Sequence, residues 1–106
     1  MRIALLSDIH GHLVPFEAVL ADLQNDSPDQ IVCLGDVAAT GPRPRAVIER
    51  LRALDPPVVM GNTDAFLLDP QPYEGDDPTW QRFTEIDQWC AGQLSAEWFL
   101  KDRLIN

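Results

Sequence analysis

Ile3-Ala4-Leu5-Leu6-Ser7-Asp8-Ile9-His10-Gly11 is an aliphatic run that stops at a carboxylate and, two residues later, an imidazole. The same change of character recurs twice, where Ile31 to Leu34 runs into Gly35-Asp36 and Val58 to Met60 runs into Gly61-Asn62-Thr63-Asp64. None of the three runs alternates apolar with polar residues, the pattern expected of strands buried on both faces. Each polar cluster therefore falls at the carboxyl end of a predicted strand. In an open α/β sheet the loops at those ends gather along one edge, so residues distant in sequence converge on one crevice.

What lies between the runs fits that reading. Leu13, Phe16, Val19, Leu20 and Leu23 fall at helical spacing, and Asn25 to Pro28 supplies a stop. Pro44 suits the first turn of a second helix, whose apolar face is Val47, Ile48, Leu51 and Leu54 and whose end is marked by Asp55-Pro56-Pro57. The order is strand, helix, strand, helix, strand, and crossovers of this length favour parallel pairing with right-handed connections. The predicted fold is α/β: a βαβαβ core over residues 1–68 with a mainly parallel sheet, followed by a loop and helical tail over residues 69–106. In that tail Pro70, Pro72, Gly75 and Pro78 mark an exposed, mobile loop. Helical patterning returns from about Trp80 to Leu94, and Ser95 is a candidate cap for a last short helix through Leu100. Trp80, Trp89 and Trp98 are expected to pack the tail onto the sheet or into an interface.

The 106 residues make one domain at most, with 17 acidic against 8 basic side chains and a net charge of −9. That balance leaves no basic footprint for nucleic acid or an anionic membrane. The amino-terminal apolar run is too short for a signal-peptide core or a membrane span, so a cytoplasmic protein is expected. Cys33 and Cys90 lack metal-ligand spacing to each other, and Cys33 reads as a small buried apolar residue.

The polar clusters carry the chemistry. Asp8 and His10, two apart in a loop leaving a strand, can turn toward one ion, and carboxylate with imidazole suits Mn, Fe or Zn better than Mg or Ca. Asp36 has two oxygens and can serve a pair of cations. Asn62 offers an amide oxygen, and Gly61 before it frees the backbone for a tight turn. Taken singly, Asp8 or Asp36 reads as a turn or capping residue. Their arrival with an imidazole and an amide at matching strand ends favours a metal site. Two ions about 3.5–4 Å apart would activate water and steady charge on a phosphate.

Asp8-x-His10, Gly35-Asp36-Val37 and Gly61-Asn62-Thr63-Asp64, with the Ser7-to-Gly11 opening and the Gly41-Pro42-x-Pro44 loop, resemble the amino-terminal half of a calcineurin-like metallophosphoesterase over residues 1 to about 68. The resemblance implies half of an α/β sandwich and hydrolysis of a phosphomonoester or phosphodiester by metal-activated water. It implies Asp8 and His10 on the first of two divalent ions (Mn, Fe, Ni or Zn), Asp36 between them, and Asn62 on the second while facing the phosphate. Asp64 is left between support of its neighbours and an N-cap. The family's later histidine ligands, ending in Gly-His-x-His, have no counterpart here, since His10 and His12 are the only histidines. Where many members carry a histidine to protonate the leaving group, this chain has Thr63, which is no general acid near neutral pH. His12 is a candidate for the substrate side, and Arg43 and Arg45 for a phosphate.

The expectation is a fragment or truncated form that by itself binds at most one ion, weakly. It should either self-associate or await a complementary half. The alternative is a non-catalytic interaction module that retains a half metal site, and a metal-free nucleotide-binding domain is disfavoured by the lack of a glycine-rich phosphate loop.

Overall fold

The computed structural model describes residues 1–94 and the backbone of Leu104 and Ile105. Three strands, β1 (Ile3–Leu6), β2 (Gln30–Cys33) and β3 (Val58–Val59), alternate with helices α1 (Leu13–Asp26) and α2 (Pro44–Leu54). They pair parallel in the order β1-β2-β3, with Leu5 beside Val32 and Cys33 beside Val58. Helices α3 (Asn62–Leu68) and α4 (Pro78–Gln93) follow, and β4 (Leu104–Ile105) adds a fourth parallel strand beside β3. The tail is thus helical as expected but also contributes a strand, which a two-residue pairing leaves no pattern to announce. The proposed helix from Ser95 and the site of Trp98 lie outside the described residues.

Helices α1 and α2 end where the sequence indicated, for local reasons. Ser27 (φ 48°) and Asp55 (φ 53°) take left-handed conformations after α1 and α2, and their N–H groups donate back to Leu23 and Leu51. Pro44 opens α2 at a position where its missing N–H is no loss. Buried faces of the two helices, Phe16 and Leu20 on one and Val47, Ile48 and Leu51 on the other, meet Leu6, Cys33 and Val58 of the sheet.

The expected burial on both faces of the strands does not occur in β1. Ile3 is 55% and Leu5 64% exposed, whereas Leu6 is buried. The cause is topological. Because sheet order follows chain order, right-handed crossovers put α1 and α2 on the same face, and among the described residues no helix covers the other.

The loop after α3 is exposed throughout, as expected. Within it Tyr73 stacks between Phe66 of α3 (centroids 5.3 Å apart) and Trp80 of α4 (5.7 Å), which ties the loop to both helices. Of the two tryptophans described, Trp80 is 40% and Trp89 48% exposed, and Trp80 packs against Tyr73 and Phe83. What anchors α4 is Cys90, whose Sγ lies 3.5 Å from the Ala38 carbonyl, and the buried Asp87. Burial and a hydrogen bond with Asp87 push the Tyr73 hydroxyl pKa up.

Candidate metal centre

Two loops form the centre, one leaving β1 and the other leaving β2, and they are zipped together by their backbones. Asp8 N–H donates to the Gly35 carbonyl (3.1 Å), His10 N–H to the Asp36 carbonyl (3.0 Å) and Gly11 N–H to the Val37 carbonyl (2.8 Å). The zipper holds an unusual backbone in place. Asp8 (φ 59°), His10 (φ 48°) and Asp36 (φ 56°) are all left-handed, a conformation that costs a non-glycine residue on the order of 1–2 kcal/mol. Three such residues in two facing loops are a concentration of strain of the kind found at functional sites. A third loop approaches from before α2: a side chain on Gly41 would collide with the His10 carbonyl, so only glycine lets the chains come this close.

This scaffold brings one donor atom from each of Asp8, His10 and Asp36 within 4.8 Å of one another. The imidazole is oriented for coordination. His10 Nδ1 lies 3.0 Å from the Ala39 carbonyl, which can only accept, so Nδ1 carries a proton. Nε2 then faces Asp8 Oδ1 at 3.2 Å, and a lone pair opposite a carboxylate requires a cation or a second proton between them. A backbone carbonyl orienting a histidine through its far nitrogen is the usual support of a metal ligand. The carboxylate opposite is kept ionised: hydrogen bonds from Ser7 (2.6 Å) and then His10 hold the Asp8 carboxyl below its ordinary range. The donor set of two carboxylates and an imidazole fits a borderline divalent ion.

Asp36 and the loop after β3 are joined through two side chains. Thr63 directs both its N–H (3.1 Å) and its hydroxyl (2.6 Å) to Asp36 Oδ1. Asp64 is fully buried, with Oδ2 accepting from Asp36 N–H (2.7 Å) and Gly61 N–H (2.9 Å) and Oδ1 accepting from Val37 N–H (2.9 Å). Asp64 stands third in α3, not before it. Its carboxylate therefore closes the helix start on Gly61 and clamps the Asp36 loop to it, so support of its neighbours and capping are one arrangement here. Asn62 opens α3, exposed, next to Thr63.

The other candidates stand outside the Asp8–His10–Asp36 cluster, His12 the nearest of them. His12 is the residue before α1, exposed, beside a hollow of about 220 Å³ that it shares with Asp8, Phe16 and Val19. Arg43 and Arg45 line a groove against Trp89 in which no candidate ligand takes part, and Arg45 pairs with Glu49 at 3.4 Å. Sequence reasoning overlooked Ser7, whose hydroxyl beside an aspartate was the available signal, and the Ala39 carbonyl, for which a backbone atom leaves none. It also read Thr63 only as a missing acid.

The family model for calcineurin-like phosphoesterases matches residues 1–102, and the chain belongs to that family. Uncharacterized protein MJ0912 of Methanocaldococcus jannaschii is 42% identical over 66 residues, 62% of this chain and 27% of that protein. A symmetrical bis(5'-nucleosyl)-tetraphosphatase of Pectobacterium carotovorum is 38% identical over 71 residues, 64% of this chain and 25% of that one. Among solved structures, a metallophosphoesterase from Sphaerobacter thermophilus superposes with a TM-score of 0.74 at 36% identity, over 100% of this chain and 42% of that chain. Yfce, a phosphoesterase from E. coli, superposes at 0.51 with 31% identity, over 78% and 44%. The chain thus spans about a quarter of the curated relatives and under half of the solved ones.

Proposed function

We propose that these residues form one flank of a two-metal site that hydrolyses phosphate esters. Asp8 and His10 would hold the first ion, Asp36 would serve both, and Asn62 would hold the second on the phosphate side. The observation that carries the reading is the His10 imidazole, held at Nδ1 by the Ala39 carbonyl with Nε2 turned to Asp8 Oδ1, beside Asp36. Divalent ions bound there supply Lewis acidity toward phosphate oxygens and lower the pKa of the attacking water.

The chain's own part is to orient. Ser7 keeps Asp8 ionised, Ala39 fixes the imidazole ring, and Asp64 and Thr63 hold the Asp36 loop. Four protein donors are about half of what two ions need. The sequence has no histidine beyond His10 and His12, so efficient turnover calls for ligands from outside these 106 residues. The substrate is a small phosphate ester. A nucleoside polyphosphate is one member of that class, and the Pectobacterium relative's name supports it. The half-complete donor set equally favours a second reading, an interaction module that binds metal without turnover.

Titration of the chain with Mn²⁺ and hydrolysis of bis(p-nitrophenyl) phosphate test the two together. Asp36→Asn should weaken Mn²⁺ binding more than Asp8→Asn, because Asp36 alone meets both ions. Equal binding by Asp36→Asn and wild type would refute the arrangement. Metal binding without hydrolysis, even when the chain is joined to the remaining half of a family relative, would favour the module.

A further inference from the structure

We propose that Thr63 is a positioning residue for Asp36, its hydroxyl fixing the plane of the carboxylate so that the other oxygen stays aimed at a cation. The inference rests on the metal site proposed above and concerns a side chain outside its donor set. Thr63 occupies a position where a proton donor to the leaving group was sought, but its hydroxyl is already engaged. It lies 2.6 Å from Asp36 Oδ1, and because an ionised carboxylate only accepts, the hydroxyl proton points at that oxygen. The Thr63 N–H donates to the same oxygen at 3.1 Å. Oδ1 thus has two protein donors on its two lone pairs. Oδ2 of Asp36 is left to meet cations, so service to two ions would fall to that one oxygen and not to one oxygen each.

Two surrounding features make this a device for orientation. The Asp36 backbone is left-handed (φ 56°), and Gly61 passes so close to the Asp36 carboxylate that a side chain on it would strike Oδ1. The carboxylate is therefore crowded on one side and hydrogen-bonded on the same side, and a β-branched threonine has few rotamers in which to let go. Without the hydroxyl, the backbone N–H alone would hold Oδ1, and the carboxylate could turn about its last bond. A half-turn only exchanges two equivalent oxygens, but every partial turn takes the free oxygen out of line with the ion. Loss of a group that orients a metal ligand typically costs 10–100-fold in affinity.

Mn²⁺ binding to the full chain, followed by electron paramagnetic resonance of the free ion, reads this directly. Thr63→Val keeps the shape and removes the hydroxyl, and should weaken binding about tenfold. Thr63→Ser restores the hydroxyl and should bind within about twofold of wild type, a rescue that a purely structural role would not require. Thermal melts of each variant separate loss of fold from loss of affinity, and Thr63→Ala replaces Thr63→Val if that variant does not fold. Unchanged affinity in the variant lacking the hydroxyl overturns the proposal while leaving the metal site intact. So does equal weakening in Thr63→Ser, which would assign the loss to shape, or failure of both truncations to fold. Absence of Mn²⁺ binding by wild type would instead overturn the metal site, and this proposal with it.

Discussion

Asp64→Asn is the most searching test of how the site is held. The Asp64 carboxylate is fully buried and all three of its partners are backbone N–H donors, on Asp36, Val37 and Gly61 at 2.7–2.9 Å. An asparagine of the same shape must turn one of its two positions into an NH₂ group. Placed at Oδ2 it would face two donors, and at Oδ1 only Val37 N–H, so the second orientation is adopted and one bond becomes a donor–donor clash. A hydrogen bond to a charged acceptor contributes roughly 1.5–3 kcal/mol, and a buried donor left unsatisfied costs roughly 1–3 kcal/mol. The two bonds that survive also lose their charge assistance. A total loss of about 2–4 kcal/mol follows, a large share of the roughly 5–15 kcal/mol that stabilises a domain. For a chain of this size that lowers the melting midpoint by on the order of 10–25 °C. Calorimetry or circular dichroism measures the midpoint, and amide hydrogen exchange reports where the loss falls: Val37 N–H should lose protection more than Asp36 or Gly61. A midpoint within 2 °C of wild type, or unchanged exchange at all three amides, would refute the clamp.

Other consequences can be checked more simply. Gly41→Ala would drive a methyl group into the His10 carbonyl, a backbone atom with no room to yield, so it should lower Mn²⁺ affinity at least tenfold while Gly92→Ala, which meets nothing, leaves it unchanged. The sheet face that the described residues leave open at Ile3 and Leu5 should make the isolated chain associate; sedimentation velocity should show the larger species diminish on replacing both with threonine, and a compact wild-type monomer would count against it. Burial and then the charge of Asp87 raise the Cys90 thiol to about 11, and burial raises that of Cys33. A raised thiol pKa means that the reactive thiolate is scarce until pH climbs through the raised value, so labelling of Cys90 in the folded protein should be slow at pH 8 and steepen above pH 10, labelling of Cys33 should also be slow at pH 8, and both should become fast at once in denaturant. Rapid labelling of both thiols at pH 8 without unfolding would contradict it.

Much of this protein is legible in the linear chain because its signals are local. Strand-to-helix alternation, the proline that opens α2 and the left-handed ends of α1 and α2 depend on a few neighbouring residues each, and the motif loops follow the strands that carry them. Parallel order then brings Asp8, His10 and Asp36 to one edge. What the chain could not reveal are contacts between loops distant in sequence. Thr63 meets Asp36 across 27 positions and Asp64 meets Val37 across the same span; His10 takes its orientation from a carbonyl 29 residues away. A hydroxyl or carboxylate looks the same in sequence whether it caps, coordinates or clamps, and its partner is chosen only when the loops meet. The exposed face of β1 has the same origin: Ile3 and Leu5 are as apolar as Leu6, and only the placement of α1 and α2 on one side of the sheet decides which of them leave water.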